Sequence, residues 1–163
     1  MVEVEFDPTT RTTLRNGSTL GLHIVEKGFQ TGGFLALTLF VPIAAIRGYR
    51  ATGTWAVLGA KALETGARSA AITTLLTVIA GAARVATYED LKVALEDRAY
   101  RLHYNKLQNR TDQFCRVGAL VGGAAAAALQ HGDPRLALGG AALGAGLGVA
   151  VHLATSAPFA KQE

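Results

Sequence analysis

The chain has 163 residues, half of them hydrophobic and only 17% charged, with a mean hydropathy of +0.26 and a net charge of +4. Such a chain is too apolar and too nearly neutral for charge-driven disorder, and its single cysteine excludes a disulfide scaffold or a multi-cysteine metal cluster. The 19 glycines lie well above the usual ~7% share.

Charge placement separates the two remaining classes, a soluble helical protein and a small membrane protein. Four runs lack any charge: residues 28–46, 69–83, 117–130 and 136–160. The first and last meet the ~17–25 residues that a bilayer core demands. The two shorter runs reach that length if Arg68, Arg84 and Arg116 extend their stems to the interface. The pattern predicts a single all-α membrane domain with four transmembrane helices, over about 20–47, 66–87, 112–130 and 135–156.

In chain order, residues 1–10 alternate Val2, Val4 and Phe6 with Glu3, Glu5 and Asp7 and read as an irregular tail. Their acidity argues against a cleavable mitochondrial presequence, and no secretory signal pattern is present. Ser18 or Thr19 is the expected cap of the first helix, which runs toward Arg47 with a kink at Pro42. Arg47, Tyr49 and Arg50 read as its interfacial end. Residues 54–63, with Trp55 at the interface, suggest a short surface-parallel helix. The second span follows, with Ile72, Leu75, Leu76, Val78 and Ile79 facing outward and Ala67, Ala70 and Ala71 packed.

Residues 89–110 change character, with four acids and six basic residues if His103 is counted. Leu91, Leu95, Ala99 and Leu102 recur at helical spacing, so the segment predicts an amphipathic extramembrane helix. Acids at its start and cations toward its end match the helix dipole. Leu91, Leu95 and Leu102 of this segment, together with Trp55, are the chain's expected partner-facing residues. Thr111 or Asp112 is the expected cap of the third span, and the Gln130–Pro134 turn separates it from the fourth.

Small residues recur at four-residue intervals: Gly28 and Gly32, Gly118 and Gly122, and Gly140, Gly144 and Gly148. Each set lines one helix face. In lipid, apolar burial does not drive helices together, so close backbone approach at such positions becomes the packing device.

Little catalytic chemistry is legible. The Gly144–Gly148 run lacks the preceding strand and the later acid of a dinucleotide fingerprint. His23, His103, His131 and His152 have no ligand spacing; His152 and Cys115 read as packed side chains. Arg84, Asp112 and Arg116 are expected to form a structural polar cluster orienting the second and third spans. The dispersed cations argue against nucleic-acid binding. With four spans, one side of the membrane carries 11 Lys/Arg and the other 5, which puts both termini in the more negative compartment.

Four short Gly/Ala-rich spans, Asn109-Arg110-Thr111-Asp112 leading into the third, then Arg116, Gly118, Gly122 and Gly123, resemble the mitochondrial Tim17/Tim22/Tim23 superfamily. Within it, the Gly53-Thr54-Trp55 passage followed by Ala60-Lys61 and Gly66 looks most like the four-span accessory subunit of respiratory complex I. The likeness covers about residues 20–155; the 89–110 insertion and Pro42 depart from it. It implies a multi-pass protein of the mitochondrial inner membrane without catalytic, cofactor or metal residues. Its partners would be other membrane-arm subunits and structural phospholipid such as cardiolipin. The alternative in the same superfamily is a component of an inner-membrane protein-import translocase. The resemblance also places the termini toward the intermembrane space, opposite to the charge count.

Overall fold

The computed structural model describes residues 8–54 and 58–156. Among these the protein is entirely helical: α1 (Pro8–Leu35), a π-helical turn (Ala36–Phe40), α2 (Val41–Thr52), α3 (Leu58–Val85), α4 (Leu91–Tyr104), α5 (Lys106–Leu129) and α6 (Pro134–Ser156). α1, the π turn and α2 form one continuous rod. Its residues 12–52, together with α3 and α6, are the helices long and apolar enough to cross a bilayer. α5 falls short of that measure because Lys106, Arg110, Asp112 and Arg116 occupy its first half.

Local chemistry explains the element ends. Pro42 has no N–H to donate to the carbonyl of Thr38, and its ring would clash there in a regular helix. The backbone widens by one residue instead, with the Val41 N–H donating to the Ala36 carbonyl, so the expected kink is realised as a π turn. Gly53 closes α2 with φ 68°, its N–H bonding to the Tyr49 carbonyl. Asp90 caps α4 by accepting the Val93 N–H at 3.1 Å. Asn105 ends α4 and caps α5, accepting the Gln108 N–H at 3.1 Å. In the α5–α6 turn, His131 and Gly132 take φ 53° and 80°, the Gly132 N–H reaches back to the Ala127 carbonyl, and Asp133 accepts the N–H of Arg135. Pro134 then opens α6 at the position where its missing donor costs nothing.

α6 is central. It forms the most extensive pair with α5, antiparallel, and its other sides meet α1 and α3. α1 and α3 are also antiparallel, and α4 crosses the end of the bundle against the first half of α1. The buried hydrophobics are Ala36, Ala70, Ala126, Ala142, Ala145, Cys115 and Leu95, whereas Ile72, Leu75, Leu76, Ile79, Leu120, Val121, Leu129 and Leu153 are exposed. Small side chains inside and large apolar ones outside is the arrangement that suits lipid.

Several expectations are corrected. The first helix begins by Pro8; Ser18 and Thr19 lie inside it, their hydroxyls donating to carbonyls one turn back. The second span begins at Leu58, so residues 58–63 belong to α3 and not to a separate surface helix, while Trp55 lies outside the described residues. The expected 89–110 helix is broken at Asn105, where the side-chain cap starts α5 six residues before Thr111. Neither Thr111 nor Asp112 is a cap. Ala71 is exposed, because Gly66, Ser69 and Ala70 form the buried edge of α3.

Candidate functional site

The helix seams are built from the predicted small residues. A Cβ on Gly144 would collide with the Gly118 carbonyl, one on Gly140 with the Gly122 carbonyl, and one on Gly148 with the Phe114 carbonyl. Gly118 and Gly122 answer them across the seam, so α5 and α6 meet backbone to backbone over two turns. Gly28 and Gly32 bring α1 equally close to Thr74 and Ala70 of α3. Gly33 of α1 against Ala142 of α6, and Gly139 of α6 against Leu63 of α3, extend the device to contacts that a four-residue interval does not flag.

Close approach also lets hydroxyls bond across helices. Ser69 Oγ donates to the Gly32 carbonyl at 2.8 Å, and Thr73 Oγ1 lies 2.9 Å from the Gly28 carbonyl while also bonding within α3. Ser69→Ala should cost about 0.6 kcal/mol, and at most about 1.7, the range found for interhelical bonds in membranes. Thermal unfolding in lipid nanodiscs checks this; a larger loss would mean that Ser69 does more than bond Gly32.

A polar network joins α1 to α5, which otherwise do not pack along their length. His23, Glu26, Lys27 and Gln30 share one face of α1, at i, i+3, i+4 and i+7; Gln108, Asp112 and Arg116 share one face of α5. Asp112 is 5% exposed. Its carboxylate accepts from Lys27 Nζ and, at 2.9 Å, from Gln30 Nε2. Lys27 also donates to Gln30 Oε1 at 2.9 Å, which closes a three-membered ring of bonds. Arg116 grips both oxygens of Glu26 at 2.8 Å, and Gln108 meets His23 at 2.8 Å. With two acids and two cations the network is neutral, which is what burial beside apolar runs requires. It sits where those runs begin, since Gly28 follows Lys27 and Val117 follows Arg116.

The expected Arg84–Asp112–Arg116 cluster is thus corrected. Asp112 and Arg116 face α1, each with its own partner there. Arg84 is at the far end of α3, its guanidinium 5.9 Å from the Tyr88 ring centre. The sequence does not single out Glu26, Lys27 and Gln30, because the charge-free run begins among them at Gly28; their 3–4 spacing on one α1 face is the available signal. His152 and Cys115 are buried as expected, His152 6.0 Å from the Phe114 ring and Cys115 against Gly148.

Above the network, α1, α4 and α5 enclose a cleft of about 700 Å³. Arg15, His23, Glu26, Glu96, Tyr100, His103, Asp112 and Arg116 contribute to its walls. Leu95 does not face a partner: it is buried against α1 near Gly17. Leu91 is exposed and Leu102 half-buried on the cleft wall.

Fold and site together define an all-helical membrane protein whose helices meet through glycine contacts and a neutral polar network. The chain belongs to the DUF1757 family, described as proteins of unknown function, with residues 15–157 matched. No curated protein matches it.

Proposed function

We propose that the chain is a four-span, non-catalytic subunit of a large membrane assembly, with α5 as the fourth span. The observation that carries this reading is the inverted packing, in which glycines and alanines fill the seams while large apolar side chains cover the outside. α5 supports it further. Beyond Arg116 it carries no charge, and Val117, Leu120, Val121 and Leu129 are exposed on its outer face, as contact with lipid or an apolar partner helix requires. The resemblance to the Tim17/Tim22/Tim23 superfamily supports the reading that this assembly is the membrane arm of mitochondrial complex I, in the inner membrane. The chain's work there would be to brace neighbouring subunits and hold structural phospholipid.

A second reading, a component of a protein-import translocase, is favoured by the polar cleft between α1, α4 and α5, since a path for polypeptide needs polar walls. Separation of detergent-solubilised native mitochondrial complexes followed by mass spectrometry decides between them. Co-migration with the NADH-oxidising complex is the expected result. Migration with import machinery would favour the second reading, and recovery in the supernatant after carbonate washing would overturn both.

A further inference from the structure

The cleft between α1, α4 and α5 holds charges that the polar network does not use. Its volume of about 700 Å³ falls within the roughly 300–1,000 Å³ of small-molecule sites. Five acidic or basic side chains line it: Arg15, Glu26, Glu96, Asp112 and Arg116. On its floor Arg116 binds Glu26 and Lys27 binds Asp112, so those charges cancel locally. Arg15 on α1 and Glu96 on α4 remain. Both are exposed, and among the described residues neither side chain forms an ion pair, with the other or elsewhere. The crossing of α4 over α1 fixes where they stand. Leu95, directly before Glu96, is buried against Gly17, two residues after Arg15. An unpaired cation and an unpaired acid are thereby held in the walls of one cleft, further apart than an ion pair allows. One turn beyond Glu96, Tyr100 also lines the cleft, its ring centre 4.6 Å from that of Tyr104. A carboxylate beside aromatic rings suits an ammonium group, because both attract a cation. A guanidinium suits a phosphate, which it grips through two parallel N–H donors.

We propose that this cleft binds a zwitterion of the phosphoethanolamine class, with its phosphate on Arg15 and its ammonium on Glu96 beside Tyr100. A ligand of one charge would leave the opposite wall unanswered, whereas a zwitterion answers both and keeps the cleft neutral. The ammonium is primary, because Glu96 accepts N–H donors that a quaternary ammonium lacks. The same chemistry is carried by a free phosphoamine and by a phospholipid headgroup; Leu22, 72% exposed on the cleft wall, offers apolar surface to the second. The site is built from this chain alone, so it does not depend on which assembly contains the protein.

The test uses the purified full chain in detergent. Calorimetry measures binding of phosphoethanolamine and of inorganic phosphate; native mass spectrometry measures retention of phosphatidylethanolamine and of phosphatidylcholine. The expected result is one bound phosphoethanolamine or phosphatidylethanolamine, held about tenfold more tightly than phosphate or phosphatidylcholine. Binding of the lipid alone identifies a headgroup site, and binding of the free molecule, with or without the lipid, a site open to soluble ligand; each supports the proposal. Glu96→Gln should erase the preference for phosphoethanolamine over phosphate, and Arg15→Gln should weaken every phosphate-bearing ligand about tenfold. Both residues are exposed, so neither change should shift unfolding without ligand. No binding, phosphate or phosphatidylcholine bound equally well, or binding unchanged by either substitution would overturn the proposal. Such a failure leaves the subunit reading standing, since co-migration tests that separately.

Discussion

Gly144→Leu should force α5 away from α6 and open Cys115 to a maleimide that the wild-type protein excludes. Even the first added carbon would overlap the Gly118 carbonyl and come close to Gly122 Cα, both backbone atoms that no rotamer change can move. A glycine-to-alanine change in a helix gains up to ~1 kcal/mol of propensity. Here that gain is opposed by a clash relieved only by parting the two helices, so Gly144→Ala should already destabilise. Overpacking a tight core typically costs about 1–3 kcal/mol, and leucine at a backbone-to-backbone contact belongs at the upper end. Cys115 is the single cysteine and is 2% exposed, so it reports the opening without further engineering. A loss of about 3 kcal/mol corresponds to roughly a hundredfold faster labelling when modification tracks the open population. Gly59→Ala is the control: among the described residues nothing lies within 4 Å of a Cβ there, so the propensity gain stands alone and stability should rise. If Gly144→Leu labels no faster than Gly59→Ala, the seam is not the packing device described.

Asp112→Ala should be the most damaging change in the polar network, at about 3–5 kcal/mol, because it leaves Lys27 and Gln30 half-buried or buried without their acceptor. The neighbouring pair sets the contrast. Arg116 is 65% exposed, so its grip on Glu26 is screened, and Glu26→Gln should cost about 1 kcal/mol or less. The double variant Lys27→Met/Asp112→Leu should regain most of what Asp112→Ala loses, since a hydrophobic pair of similar size removes both charges together. Thermal unfolding of the four proteins in nanodiscs reads the order directly. Equal losses for Asp112→Ala and Glu26→Gln would mean that burial does not set the energetics of this network.

These two experiments bear on different parts of the architecture. The glycine seams set how closely α5, α6, α1 and α3 approach, whereas the polar network sets the distance between α1 and α5, which meet through side chains. The cleft above the network exists because α1 and α5 are joined by long side chains rather than by glycines.

The helical class, the apolar runs and the glycine seams were legible in the sequence because each depends on short-range spacing. Charge-free length shows which segments suit lipid, and a four-residue interval places Gly118 with Gly122, or Gly140 with Gly144, on one face whatever that face later meets. The turn at residues 130–134 was legible for the same reason, since Gly132 and Pro134 act on their own backbone. Partnership was not. In the sequence Thr111 and Asp112 both suit a cap, because Asn, Thr and Asp all favour helix starts, and only the bond from the Gln108 N–H to Asn105 shows where α5 begins. Arg84 and Arg116 look alike in the sequence because both border apolar runs, but helix lengths put one beside Tyr88 and the other beside Glu26. Leu95 turned inward because α4 crosses the first half of α1, a contact between positions 78 residues apart at Gly17 and Leu95. Local spacing determines what each helix can offer on a face; which faces meet depends on helix register and crossing, and those are set only when the whole bundle packs.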